Sequence, residues 1–196
     1  IQSPEVVWPT YETCEIHSMS MEFMTWPWMD RFFKEQVDKY KFTHLASALL
    51  FLPYGVLVDH FQHEVYEHPE MTPAERKATW KKLQDLYLPD RDYSESEALN
   101  RGIFWYRQGH IFASPFYYID YTLAQVCALQ FWKRTQVDHD ENAWQDYIRI
   151  CDLGGTKSFL QVVEAAKLQS PFKEGALEST AKAAADWLDA VKDTDL

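Results

Sequence analysis

Glu15 and Glu22 stand seven residues apart in the run Tyr11-Glu-Thr-Cys-Glu-Ile-His-Ser-Met-Ser-Met-Glu-Phe-Met-Thr-Trp26. On a helix that spacing is two turns, so both carboxylates share a face with Met19 and Trp26. A carboxylate on an apolar face is costly to bury unless it binds a cation or accepts hydrogen bonds, so the pair is a candidate for chemistry. The plain alternative is that Glu15 favours the positive end of a helix and Glu22 is simply solvated.

A second concentration of polar aromatic groups is Gly109-His110 followed by Phe116-Tyr-Tyr-Ile-Asp-Tyr121. Tyr118 and Tyr121 lie at i, i+3 and share a helix face, which brings two phenols into one patch. Phenol and imidazole donors aimed at the oxygen of a tetrahedral intermediate stabilise charge that exists only in the transition state. Losing one such donor typically costs about 3 kcal/mol. On the residues alone, packing in an aromatic core is the simpler account of these tyrosines.

The histidine-rich stretch Asp59-His-Phe-Gln-His-Glu-Val-Tyr-Glu-His-Pro69 offers His60 and Glu64 on one face, and His60 with His63 as a potential chelate. Polar helix residues satisfied by their neighbours are the plainer account. His63 and His68 are five apart, roughly 140° past a full turn, so they do not share a metal as i, i+4 residues do. The string H-E-x-x-H does not occur. His17 lies off the Glu15–Glu22 face and is expected to pack in the core. There is no nucleophile elbow, P-loop or dinucleotide fingerprint.

The elements that must position these residues are helical, with neither alternating strand runs nor an internal repeat. The pattern predicts helices over about Glu12–Phe33, bent at Pro27, and about Val37–Tyr66, disturbed at Pro53-Tyr-Gly55. Thr72-Pro-Ala-Glu75 carries a capping-box signature with proline at the first helical position, and its helix should reach Tyr87. After the loop-like Asp90–Ser96, helices are expected over about Glu95–Trp105, Phe116–Gln136 and Asn142–Leu153, the last stopped by Gly154-Gly155. Two amphipathic helices, about Lys157–Leu168 and Gly175–Val191, complete the chain. No Gly-, Ser- or Pro-rich linker divides it, so residues 1–196 are expected to form a single all-α domain.

At 196 residues, 46% hydrophobic and 16% aromatic, the chain can build a thick core or carry faces meant for further sequence. A formal net charge of −11 without a basic stripe argues against a nucleic-acid partner and is compatible with peptides. Cys14, Cys127 and Cys151 form no C-x-x-C pair and are odd in number, which favours a reducing, cytoplasmic setting. The apolar run Leu45–Val58 is interrupted by Ser47, Pro53 and Gly55, and it reads as a buried helix rather than a membrane span. The chain opens without Met, as a processed or truncated product would.

The segments 15–26 and 110–121 closely resemble the C-terminal part of oligoendopeptidase F, within the thimet oligopeptidase-like zinc peptidases. Asp59–Pro69, Met71-Thr-Pro-Ala-Glu-Arg76, Asp152-Leu-Gly-Gly155 and Ser170-Pro-Phe172 extend the resemblance over nearly the whole chain. It implies a multi-helix catalytic subdomain in which Glu15 is the third zinc ligand and Glu22 orients a histidine ligand from behind. His110, Tyr118 and Tyr121 become catalytic donors, Tyr117 remains an alternative to Tyr118 because of a one-residue offset, and Gly154 and Gly155 line the peptide cleft. The cofactor implied is zinc, the substrates short peptides, and the missing partner an N-terminal portion bearing H-E-x-x-H roughly 25 to 30 residues before Glu15. Alone, the chain is expected to be inactive and to expose the Glu15–Met19–Glu22–Trp26 face, with self-association through it. The rival readings are a non-catalytic helical binding or scaffold module, and one half of a split peptidase.

Overall fold

The computed structural model describes residues 3–192, and no strand occurs among them. The helices are α1 (Tyr11–Met24), α2 (Asp30–Phe33), α3 (Val37–Glu67), α4 (Pro73–Tyr87), α5 (Glu97–Asn100), α6 (Gly109–Ala113), α7 (Tyr118–Trp132), α8 (Ala143–Leu153), α9 (Phe159–Ala165) and α10 (Glu178–Ala190). The chain is all-α, as its periodicity predicts. Its contacts resolve into two compact units, one of residues up to Leu49 together with those from Leu123 onward, the other Leu50–Thr122.

In the first unit, Ile16, Cys127, Phe131, Ile150, Val162 and Ala166 are buried completely. The expected helix over Glu12–Phe33 is two helices rather than one bent helix. The Thr25 hydroxyl donates to the carbonyls of Met21 and Glu22, at 3.0 Å each, so the side chain caps the last turn of α1. Pro27 has no N–H to continue the ladder, and the chain passes through a 3-10 turn at Trp26–Trp28 into α2.

An ion cluster in this unit centres on α8. Asp146 on α8, 1% exposed, receives Arg134 at 2.6 Å, Lys167 at 3.1 Å and Arg149, while Arg134 also binds Asp140 at 2.7 Å. Burial by itself would raise the Asp146 pKa; hydrogen bonds from the three cations outweigh it and hold the carboxyl down at about 2.

In the second unit, Leu57, Val58, Phe61, Trp80, Leu83 and Trp105 form the core. Thr72 caps α4 as expected, its hydroxyl accepting from the Glu75 N–H while Glu75 reaches back to the Thr72 N–H at 2.7 Å. The expected Glu95–Trp105 helix is split, because Gly102 takes a left-handed φ of 83° close against the Lys77 carbonyl. The helix expected from Phe116 starts two residues later, since Phe116 itself has φ 61°. Pro53 does not break α3. By length and hydropathy alone the stretch Trp26–Glu67 would suffice to cross a membrane. Its residues Leu57, Val58 and Phe61 pack in the core of their own unit, whereas Leu50 is 65% exposed.

Candidate functional site

The second unit brings His110 and the three tyrosines together. Helix α6 carries His110; past it, the Phe116 N–H donates to Gln62 Oε1 on α3 at 2.8 Å, which fixes where α7 begins. The His110 ring lies 4.9 Å from that of Tyr118, 5.7 Å from Tyr121 and 6.0 Å from Tyr117. Tyr121 lies 5.5 Å from Tyr118 and 5.0 Å from Tyr117, so both candidates of the offset pair belong to one aromatic group.

Two residues that the sequence reading did not single out organise this group. The Tyr54 hydroxyl donates to Gln108 Oε1 at 2.8 Å, and Gln108 Nε2 stands 2.7 Å from His110 Nδ1. An amide nitrogen only donates, so Nδ1 accepts and the imidazole proton sits on Nε2. Burial pushes the Tyr118 phenol up, the neighbouring Tyr121 adds to this, and Arg107 opposes it. Tyr54 is pushed up to about 12, first by burial and then by Tyr118. Both phenols therefore keep their protons at neutral pH and remain donors. Beside them, Tyr54, Arg91, Phe104, Arg107, Gln108 and Tyr118 line a cavity of about 240 Å³.

In the first unit, α1 carries Glu15 and Glu22. Glu15 is half-buried and its Oε2 accepts from the Ser18 hydroxyl at 2.8 Å. Glu22 Oε2 lies 3.0 Å from His44 Nε2. The Trp26 indole N–H donates to His44 Nδ1 at 2.9 Å, so Nε2 carries the proton that Glu22 receives. Phe23 stacks on the same imidazole at 4.4 Å and Tyr40 at 5.5 Å. Glu22 does hold a histidine, but one whose two nitrogens are both engaged. His44 escaped the sequence reading because its partners lie 18 and 22 residues away.

The expected exposed face is corrected at Trp26, which is only 2% exposed. Trp132, Trp187 and His44 close around it at 5.6–6.3 Å. His17 packs edge-on to Tyr147 at 5.6 Å, with its pKa lowered by burial, as a core histidine should. Gly154, at φ 50°, ends α8, and Gly155 donates its N–H to the Val6 carbonyl at 2.8 Å, with the Trp8 carbonyl filling the space a side chain would need.

A catalytic zinc takes three protein ligands and an open position. Among the described residues no three His, Cys, Asp or Glu side chains are grouped to hold a metal. His60 pairs with Glu64 at 3.4 Å and with the Tyr87 hydroxyl at 2.9 Å, whereas His63 pairs with Asp59 at 3.4 Å. These residues alone do not fit a zinc ion.

The arrangement has clear relatives. Residues 2–182 match Peptidase family M3, and the chain belongs to that family. No curated protein sequence matches it significantly. Among solved structures, a protein assigned as oligoendopeptidase F is 60% identical with a TM-score of 0.95, over 100% of this chain and 34% of its own. PZ peptidase A, solved with an inhibitor, is 54% identical with a TM-score of 0.94, over 100% of this chain and 34% of its own. A protein of Bacillus anthracis strain Ames assigned as oligoendopeptidase F is 55% identical with a TM-score of 0.83, over 98% of this chain and 31% of its own. The chain thus spans about one third of the length of the solved relatives it matches.

Proposed function

We propose that this chain is the C-terminal portion of the catalytic domain of a cytoplasmic, zinc-dependent oligoendopeptidase that cleaves short peptides. The observation that carries the reading is the meeting of His110, Tyr118 and Tyr121, with Gln108 holding the His110 proton on Nε2. In this reading the His110 Nε2–H and the two phenols donate to the oxygen of the tetrahedral intermediate, with Tyr117 as the alternative to Tyr118. Glu15 is one ligand of a zinc whose other two, the histidines of H-E-x-x-H, lie outside these 196 residues. When bound, the metal supplies a Lewis acid. Glu22 acts at a remove, steadying α1 through His44, and Gly154 and Gly155 shape the chain near the cleft.

The 196-residue chain should show no zinc-dependent hydrolysis by itself, because one carboxylate neither holds zinc nor activates water. The test is cleavage of an internally quenched short peptide by the chain alone and joined to a segment bearing H-E-x-x-H. In the joined form Tyr121→Phe should lower kcat by about a hundredfold or more, with KM little changed. An unaltered kcat, or full activity of the chain alone, overturns the assignment. The non-catalytic binding-module reading draws on Trp26, which the chain covers with its own side chains; it gains if the joined protein binds peptides without cutting them.

A further inference from the structure

The cavity beside Tyr118 has a chemical character that the donor role does not use. Its lining holds two guanidinium groups, two phenols, an amide and a phenyl ring, and no carboxylate. In a chain of net charge −11 this is a local reversal of sign. Among the described residues no ion pair joins Arg91 or Arg107 to an acid. Asp92, next to Arg91 in sequence, is spent on the Ser94 N–H at 2.8 Å and the Ser94 hydroxyl at 3.0 Å. The Arg107 guanidinium rests over the Phe104 ring at 4.9 Å, a cation–π contact that holds the charge beside the cavity. Arg91 and Arg107 line the cavity together with Tyr54, and both charges oppose the burial that pushes its phenol up.

We propose that Arg91 and Arg107 bind a carboxylate of the peptide substrate in the cavity they form with Tyr54, Phe104, Gln108 and Tyr118. The inference rests on the peptidase reading for the identity of its ligand. Planar forked donors match a carboxylate in two-point contact. At about 30 Å³ per water, the cavity holds the equivalent of about eight waters, room for a carboxylate with one residue around it. Tyr118 is both a wall of this cavity and a neighbour of His110, so a carboxylate seated here sets the peptide bond within a residue or two of the donor group. The device is a ruler: it selects peptides whose negative charge lies a short, fixed distance from the bond to be cut.

The experiment is a binding titration of the 196-residue chain, followed by amide chemical shifts. The probes are acetylated tetra-alanine as the free acid, the same peptide as its C-terminal amide, and that amide with one alanine replaced by glutamate. At least one charged probe should bind about tenfold tighter than the neutral amide, with shifts centred on Tyr54, Gln108 and Tyr118. A free-acid advantage assigns the site to the peptide C-terminus, and an advantage of the glutamate probe assigns it to an acidic side chain. Arg91→Gln and Arg107→Gln should each erase the margin. Both arginines are exposed, so the variants should keep the wild-type circular dichroism.

Equal binding of all three probes overturns the proposal, as does a margin that survives both substitutions. Inorganic phosphate displacing the charged probe at the same concentration also overturns it, by showing a general anion site. Hydrolysis is not read, so failure of the peptidase reading in the Tyr121→Phe test leaves this outcome separately visible.

Discussion

Gln108 Nε2 approaches His110 Nδ1 to 2.7 Å while Gln108 Oε1 receives the Tyr54 hydroxyl at 2.8 Å, so a half-buried phenol and an imidazole share one amide, and with the amide facing this way the histidine proton sits on Nε2. Nitrogen-15 spectra should show His110 as the Nε2–H tautomer. Gln108→Glu replaces the donor with an acceptor and should move the proton to Nδ1, whereas Tyr54→Phe should leave a mixture of tautomers. A Gln108→Glu spectrum identical to wild type would show that the amide does not set the tautomer. In the joined peptidase the same substitution should lower kcat more than it changes KM.

Asp146 links acid to stability. Its folded pKa of about 2 lies below the ordinary aspartate value of 3.8, so the stabilisation is fully present above about pH 4 and is lost as pH falls towards 2. The displacement corresponds to about 2 kcal/mol. Asp146→Asn should reduce stability at neutral pH by about that amount or more, because Arg134, Arg149 and Lys167 lose their shared acceptor. It should also flatten the acid limb of the unfolding profile. An unchanged acid limb in urea titrations between pH 2 and pH 5 would remove Asp146 from that role.

Gly55 is fixed by packing. A methyl group there would overlap Thr122 Oγ1, where α3 and α7 pass within the second unit. Gly55→Ala should destabilise by about 1–3 kcal/mol despite the better helix propensity of alanine. Adding Thr122→Ala should recover part of the loss, and the coupling in a double-mutant cycle measures the overlap. Strict additivity would mean that the backbone yields instead.

What the sequence made legible follows range along the chain. The Thr72–Glu75 cap, the end of α4 at Tyr87 and the stop at Gly154 depend on neighbours within a few residues, and all are where the residues require them. The break after α1 depends on a local contest that Pro27 only half reveals, because Thr25 ends the helix before the proline is reached. Gln108 and His44 were invisible for a different reason. Their meaning comes from Tyr54 and Trp26, 54 and 18 residues distant, and no periodicity reports such partners. The His110–Tyr121 cluster was legible through i, i+3 spacing and resemblance together, and the cavity with Arg91 was not, since its walls come from four separate stretches of chain.

Trp26 changes the expectation for self-association. On the sequence alone Trp26→Asp would disperse oligomers; with the ring 2% exposed and its N–H given to His44, the substitution instead buries a charge in the core. It should cost about 3–5 kcal/mol or more, as large-aromatic deletions do, and lower the denaturation midpoint sharply. The apolar surface that does face solvent lies just beyond it, at Trp28, Phe32 and Phe33, which are 52%, 74% and 39% exposed. If the chain associates through that surface, sedimentation should show concentration-dependent growth that Phe32→Asp reduces without shifting the denaturation midpoint. Association unchanged by Phe32→Asp would exclude this surface, and a monomer at every concentration would remove self-association from the account.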